Sequence, residues 1–503
     1  MSTTVMGSSM PSYVQISCVA LLAYILSTIV YRLYLHPLHN FPGPKLAAIS
    51  TLYELYFQYV RDRDFTFEVE RMHQKYGPVV RINPREIHIA DPDFYEQIYA
   101  RGPNKRNKDR KFVPIFAAPH AIIAAVDHDL HKTRARVMRS YFSQQSIRKR
   151  EPAITSCIEK LLKRFEDARE TGECITLNNA FNAMTGDIIT SYAYGRDLRF
   201  LDDPEFKLKW KDAVSGALQA GVFFRFFPLL DVFKIMPEWL VIALNPGVAE
   251  ILYIKDLIRE QVRERLATKT KEVEATIFDA LIDPSVPPEY KTLDRLTDEG
   301  HIFLIGGSET TANTLTTITF HLLSNPPIWA RFREELQNAM PVGDKILPWS
   351  ELEQLPFLHG VIKEGLRLAM GVSSRLPRVA PNENLQCGDW IIPAGTPMST
   401  MTYMVHMNPS IFPNPEKFDP ERWITASKRG QNLERYLVSF TRGTRECIGF
   451  RLAYSELYLT TATLFRKLDM ELYETTDKDC RFSRDCFFPG PKRGSKGVRV
   501  IIK

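Results

Sequence analysis

The chain has 503 residues, 44% of them hydrophobic and 25% charged, the balance of a globular protein with material for a sizeable core. A net charge of +6 is small for that length, and no Lys/Arg block interleaved with aromatics occurs, so nucleic acid is excluded as the expected partner. The seven cysteines include no CxxC pair and no zinc-type His spacing, which fits a reducing compartment and a packing role for most of them.

In chain order, the first feature is Tyr13 to Tyr31, an uncharged run rich in Val, Ile, Leu, Ala and Tyr. Its length approaches the roughly 20 residues a helix needs to cross the hydrocarbon core. Residues 1–12 carry no Lys or Arg, unlike the basic start of a cleaved signal peptide. The reading is a luminal tail (1–12) and a single-pass transmembrane anchor (13–34). Positive charge begins at Arg32 and Lys45, which by the positive-inside rule places the rest in the cytosol, on the endoplasmic reticulum membrane. A proline-rich hinge (35–48) follows, where Phe41-Pro42-Gly43-Pro44 cannot continue a helix and fixes a stiff turn.

Beyond the hinge, residues 49–503 read as one large domain, mainly α with small β-sheets. Strand-like runs fall at Val79–Ile82 and Ile87–Ala90. Helical stretches are expected at Ser146–Glu166, Pro246–Lys271, Leu296–Leu323, Pro327–Ala339 and Leu355–Leu368. No repeat or low-complexity linker divides this body. The stretch Val222–Pro228, four phenylalanines around Arg225, is either core packing or a loop at a membrane or substrate entrance.

The most specific signal is Phe440-Thr441-Arg442-Gly443-Thr444-Arg445-Glu446-Cys447-Ile448-Gly449, a cysteine just ahead of a helix expected to begin near Ile448. Amide donors at a helix N-terminus stabilise the thiolate, the form of cysteine that binds metal. Gly443 and Gly449 permit a tight loop and close approach of backbone to a flat cofactor; Phe440 can cover the sulfur, and Arg445 can pair with a carboxylate. A second signal is Gly306-Gly307-Ser308-Glu309-Thr310-Thr311 inside an apolar helix. Two interior glycines cost about 1 kcal/mol each relative to alanine, a cost that close passage over a ligand would offset. Beside an opened turn there, Glu309 and Thr310 could relay protons through water. A third is Glu364-x-x-Arg367 on an apolar helix, whereas Glu68/Arg71 and Glu260/Arg263 share its spacing and read as solvated surface pairs.

The decapeptide matches every fixed position of the cytochrome P-450 haem signature, and the chain resembles that superfamily from the hinge to the Val498–Ile502 strand. The run from Tyr31 to Ala47 is similar to the fungal secondary-metabolism branch, including the trichodiene oxygenase-like group. The resemblance implies haem b with Cys447 as axial thiolate, which pushes electron density onto the iron. It implies that Thr310 hydrogen-bonds dioxygen or its water, that Glu309 feeds protons, and that Glu364, Arg367 and Arg422 form a buried network. For the propionates it implies Arg445, Arg375 and His131. The arginine usually found four residues after His131 is here Ala135, flanked by Arg134 and Arg136, and Arg134 is taken as the substitute. A metal site of His128 and His131 lacks a third ligand. The implied activity inserts one oxygen atom from O2 into a lipophilic small molecule such as a terpenoid or polyketide. No glycine fingerprint for a dinucleotide follows a strand, so the chain must borrow its reductase, and the resemblance implies an NADPH-dependent cytochrome reductase, with cytochrome b5 as a second donor. The rival readings are a haem-thiolate isomerase or dehydratase without a reductase, and a non-catalytic haem protein.

Overall fold

The structure is a computed structural model that describes residues 12–227, 236–267, 276–342 and 345–503. Its first helix, Ser12–Val30, continues as a wider turn over Tyr31–Leu35. From Tyr13 to Leu35 it is apolar enough to cross a membrane, and none of it is buried against the body. Pro44 and Gly43 then turn the chain onto the sheet. A Cβ on Gly43 would lie 2.5 Å from the Arg81 carbonyl oxygen, so glycine is required where hinge and strand touch. Arg81, 1% exposed, donates to the carbonyls of Arg32 (2.9 Å), Leu38 (3.3 Å) and Pro84 (2.7 Å), stitching the exit of the apolar helix to the first strand.

The largest sheet has five short strands. Val79–Asn83 and Glu86–Ile89 form a hairpin, followed in space by Pro397–Ser399, Arg378–Val379 and Asn107–Lys108. Smaller pairings tie down the C-terminal segment, where the last strand is Arg499–Ile502.

Helices supply most of the core. Gln144–Thr171, Gly247–Ala267, Leu293–Leu323, Pro326–Ala339 and Pro356–Ala369 occupy the five stretches expected to be helical. Residues 268–271 of the second expectation lie outside the described residues. The central helix, Leu293–Leu323, is buried on nearly every side. It packs along Leu177–Tyr194 because small residues let the two axes approach: a Cβ on Gly307 would sit 2.7 Å from Ile189, and one on Gly300 would overlap the Tyr194 ring. Val222–Phe226 is neither plain core nor loop: it is the last turn of the helix Leu208–Phe226, with Val222 buried, Phe223 exposed and Arg225 paired with Glu54. Pro228 lies outside the described residues.

Candidate haem site

Cys447 sits in a short loop that the neighbouring chain shapes. A 3-10 turn over Gly443–Arg445 precedes it, and its own amide donates to the Phe440 carbonyl at 3.0 Å. Gly443 has φ +83°, and a Cβ there would overlap the carbonyl oxygens of Tyr99 and Ala100. The glycine therefore serves a backbone–backbone contact within the tight loop expected there. The following helix is Phe450–Lys467, starting two residues later than expected with Gly449 at its cap. The Phe440 ring packs on Tyr454 (5.3 Å) and Phe450 (6.2 Å).

Cys447 is a free cysteine with an exposed side chain. Desolvation pushes its thiol up to about 11, opposed by the Gly449 amide, which donates to the sulfur. A Cβ on Gly449 would make only ordinary contact with the Phe142 ring at 3.7 Å, so no protein neighbour demands glycine there. On the central helix, a Cβ on Gly306 would meet nothing within 4 Å, so this glycine borders open space while Gly307 faces Ile189. The helix remains α-helical through the pair, and the opened turn expected there is not found. The Thr310 hydroxyl instead donates to the Gly306 carbonyl at 3.0 Å. Glu309 accepts from Asn182 Nδ2 at 2.7 Å, and burial raises its carboxyl above the ordinary range, with Lys211 opposing.

A group of cations gathers about Arg445, two residues before Cys447. Lys108 and Arg378 stand opposite each other in paired strands. Like charges so placed repel unless an anion lies between them. Burial, together with Arg378 and Arg445, pulls the Lys108 ammonium well below its ordinary value. Burial and Arg378 lower Arg445 to about 9. Burial lowers His131 to about 2, assisted by Arg445, Lys108, Arg378 and Arg139, and its Nδ1 is buried without a partner. Among the described residues none of these four is in an ion pair with a carboxylate. Lys108 donates to the Ile123 carbonyl, Arg378 to those of Leu376 and Pro377, and Arg445 to those of Arg106, Ala125, Val126 and Asp127. Clustered cations without carboxylate partners, beside an orphaned ring nitrogen, fit a dianionic ligand. The exposed thiol two residues after Arg445 fits a metal within that ligand. The residues present therefore suit haem.

Two of the expected propionate partners are placed elsewhere. Arg375 is clamped between Glu54 (2.8 Å) and Glu86 (2.7 Å), and both carboxylates are 2% exposed. Its charge is already matched; Arg378, three residues on, is the unmatched one. Arg134 donates to the His120 carbonyl at 3.0 Å and lies over the Tyr290 ring, away from the cation group. Lys108 and Arg378 escape the sequence reading because only tertiary pairing brings residues 108 and 378 together. Asn182, the partner of Glu309, escapes it for the same reason. His128 Nδ1 accepts the Arg106 amide at 3.2 Å, and no group of potential metal-binding side chains occurs among the described residues.

Behind the cysteine loop, Glu364 and Arg367 are both fully buried. Glu364 accepts from Arg367 Nε and Nη2 (2.9 and 2.7 Å), Arg422 Nε (3.0 Å), the Asp419 amide (3.0 Å) and Trp423 Nε1 (2.9 Å). Arg367 also donates to the His406 carbonyl at 2.9 Å, and His406 Nε2 accepts the Val438 amide at 2.9 Å. Ser439 Oγ donates to the Leu366 carbonyl at 2.8 Å. Through His406 and Ser439 the network reaches the loop carrying Cys447. By contrast the Arg71–Glu68 pair is a surface contact, with Arg71 48% exposed.

The fold and this site define a haem-thiolate oxidoreductase, and the comparisons agree. Residues 44–494 match the Cytochrome P450 family model, so the chain belongs to that family. It is 46% identical to cytochrome P450 monooxygenase claJ of Penicillium crustosum, over 85% of this chain and 98% of the relative. It is 43% identical to conidiogenone synthase PchP450 of Penicillium rubens, over 95% of this chain and 97% of the relative. Cytochrome P450 monooxygenase TRI4 of Fusarium sporotrichioides is likewise 43% identical, over 91% of this chain and 88% of the relative. A crystal structure of a cytochrome P450, CYP102L1, superposes with a TM-score of 0.71 at 17% identity, over 87% of this chain and 94% of that one. The chain is a P450 monooxygenase, with haem held by a cysteine thiolate as cofactor.

Proposed function

We propose that Cys447 is the axial ligand and that this enzyme inserts one atom of O2 into a lipophilic secondary metabolite of the terpenoid or polyketide kind. The observation that carries the assignment is the exposed Cys447 thiol two residues after Arg445, which belongs to a cation group with Lys108, His131 and Arg378 that has no carboxylate partners among the described residues. Haem, when bound, supplies reductive activation of dioxygen. Its propionates would be held by Arg378, Lys108, Arg445 and His131. The Gly449 amide stabilises negative charge on the sulfur. Glu309, its carboxyl raised by burial and fixed by Asn182, and the neighbouring Thr310, whose hydroxyl meets the Gly306 carbonyl beside open space, are the groups to which we assign proton delivery.

Apolar side chains that include Phe112, Ile115, Phe116, Leu304, Val372 and Phe487 belong to one packed cluster, which supports an apolar substrate. The names of the relatives, a conidiogenone synthase among them, support secondary metabolism. Family members draw electrons from a redox partner; here we assign an NADPH-cytochrome reductase, assisted by cytochrome b5. The unburied helix Tyr13–Leu35 supports a single-pass anchor at the endoplasmic reticulum with the body (49–503) in the cytosol, the hinge spanning 35–48. Cys447→Ala is expected to abolish the red-shifted band of the reduced carbon-monoxide complex. Survival of that band would overturn the ligand assignment. NADPH-dependent oxygen uptake by the reconstituted enzyme separates this reading from an isomerase.

A further inference from the structure

The helices Pro356–Ala369 and Phe450–Lys467 are joined by polar side chains that the haem site does not use. Tyr458, 2% exposed, meets His359 Nδ1 through its hydroxyl at 2.7 Å. The other ring nitrogen of His359 lies 3.4 Å from Oε1 of Glu434, a half-exposed residue. Lys363 donates to Glu434 Oε2 at 2.8 Å and to the Tyr454 hydroxyl at 3.1 Å. The hydrogen bond from His359, and then the Lys363 ammonium, hold the Glu434 carboxyl down at about 2 against its burial, so it is ionised. A carboxylate can only accept. The proton of a neutral His359 ring therefore belongs on Nε2, which leaves Nδ1 to accept the Tyr458 hydroxyl. Rings lead from this triad to the cysteine loop. Tyr458 stands 6.3 Å from Tyr454, and Tyr454 stands 5.3 Å from Phe440, whose carbonyl accepts the Cys447 amide.

A buried phenol needs one acceptor, and any carbonyl would serve. Here the acceptor is a base that can take the proton outright, backed by a carboxylate that stabilises the resulting imidazolium. Tyr454 differs, because its oxygen faces the Lys363 ammonium, which takes no proton. We propose that Tyr458 is a redox-active tyrosine, the end of a chain through Tyr454 and Phe440 that discharges the oxidised haem-thiolate centre when no substrate is bound. This rests on the reading that Cys447 holds the haem. A hydroperoxide takes two electrons as its O–O bond breaks and leaves the centre short of both; the protons of the alcohol and water formed come from solvent. Tyr458 returns the electrons one at a time. Its O–H bond breaks, the electron passes along the rings to the centre, and the proton goes to His359 Nδ1. A solvent thiolate then gives an electron to the phenoxyl radical and His359 gives back the proton, restoring the phenol. The two thiyl radicals so formed pair as a disulfide.

The test uses the full-length haem-loaded enzyme without substrate, mixed with cumene hydroperoxide and the spin trap tert-nitrosobutane, and trapped radicals are located by peptide mass spectrometry. The wild type should carry the adduct on Tyr458. Tyr458→Phe should lose it and bleach its haem several-fold faster for each hydroperoxide consumed. His359→Gln keeps an acceptor for the phenol without the base, and should slow adduct formation about a hundred-fold. Tyr403→Phe is the control: that hydroxyl donates to Glu70 and its ring packs on Phe67 and Phe482, so bleaching should match the wild type. If Tyr458→Phe bound no haem, His359→Gln alone would decide. Wild-type bleaching in Tyr458→Phe, or adduct formation at the wild-type rate in His359→Gln, overturns the proposal. The carbon-monoxide band is read in parallel. A wild type that shows the band but no adduct on Tyr458 overturns this proposal alone, whereas a wild type without the band overturns the Cys447 assignment and this proposal with it.

Discussion

Replacing Glu364 with alanine removes the acceptor of five hydrogen bonds and leaves Arg367, 0% exposed, as an uncompensated buried cation. Breaking such a buried pair costs about 3–5 kcal/mol, roughly two to three and a half orders of magnitude in the folding equilibrium. Against a total stability of about 5–15 kcal/mol that is a large fraction. The damage should extend to the cysteine loop, because Arg367 also supports His406, which accepts the Val438 amide. The assay is urea unfolding followed by tryptophan fluorescence, with haem content read from the same samples. Arg71→Ala serves as control: its pair with Glu68 is half-exposed and should change stability by less than about 1 kcal/mol. If Glu364→Ala and Arg71→Ala cost the same, burial is not what gives this network its weight, and the reasoning fails.

Arg378→Ala should speed haem loss to an apoprotein scavenger roughly ten-fold or more, since a charge-assisted contact is removed. Arg375→Ala should instead lower the unfolding midpoint, because Glu86 would be left buried without its cation and Glu54 with Arg225 alone. Gly307→Ala places a Cβ 2.7 Å from Ile189 and should destabilise by about 1–3 kcal/mol, while Gly306→Ala, which points into open space, should hold stability and show its effect in azole-binding spectra. Burial depresses His406 to about 3, so the folded state resists its protonation while the unfolded chain takes up a proton near 6.5. The associated stability is complete above pH 6.5 and declines between pH 6.5 and 3. Unfolding titrations of His406→Asn should accordingly show a shallower acid slope than the wild type, by about 1.4 kcal/mol per pH unit; parallel slopes would contradict the assignment.

The five helical stretches and the first hairpin were readable because their apolar periodicity runs over many residues or is bracketed by turn chemistry. The cysteine signature, the Gly-Gly pair and the Glu364 helix were readable because their spacing is local. What stayed hidden was long-range. Arg375 and Arg378 are indistinguishable by composition, and only the fold shows that Glu54, more than 300 positions upstream, claims the first. Arg134 and Lys108 differ in the same way: one turns to the His120 carbonyl, and strand pairing sets the other against Arg378. Asn182 has no motif; its role comes from which helix packs opposite.

Arg81 gives the hinge a mechanical meaning. One guanidinium holds the carbonyls of Arg32, Leu38 and Pro84, so the chain leaves the apolar helix in a direction that the first strand dictates. The body is thus not tethered on a slack leash; it stands on a bracket, and the tilt of the apolar rod is handed on to the whole enzyme. With that helix seated in a bilayer as proposed, an oily molecule dissolved there would meet one fixed flank of the protein.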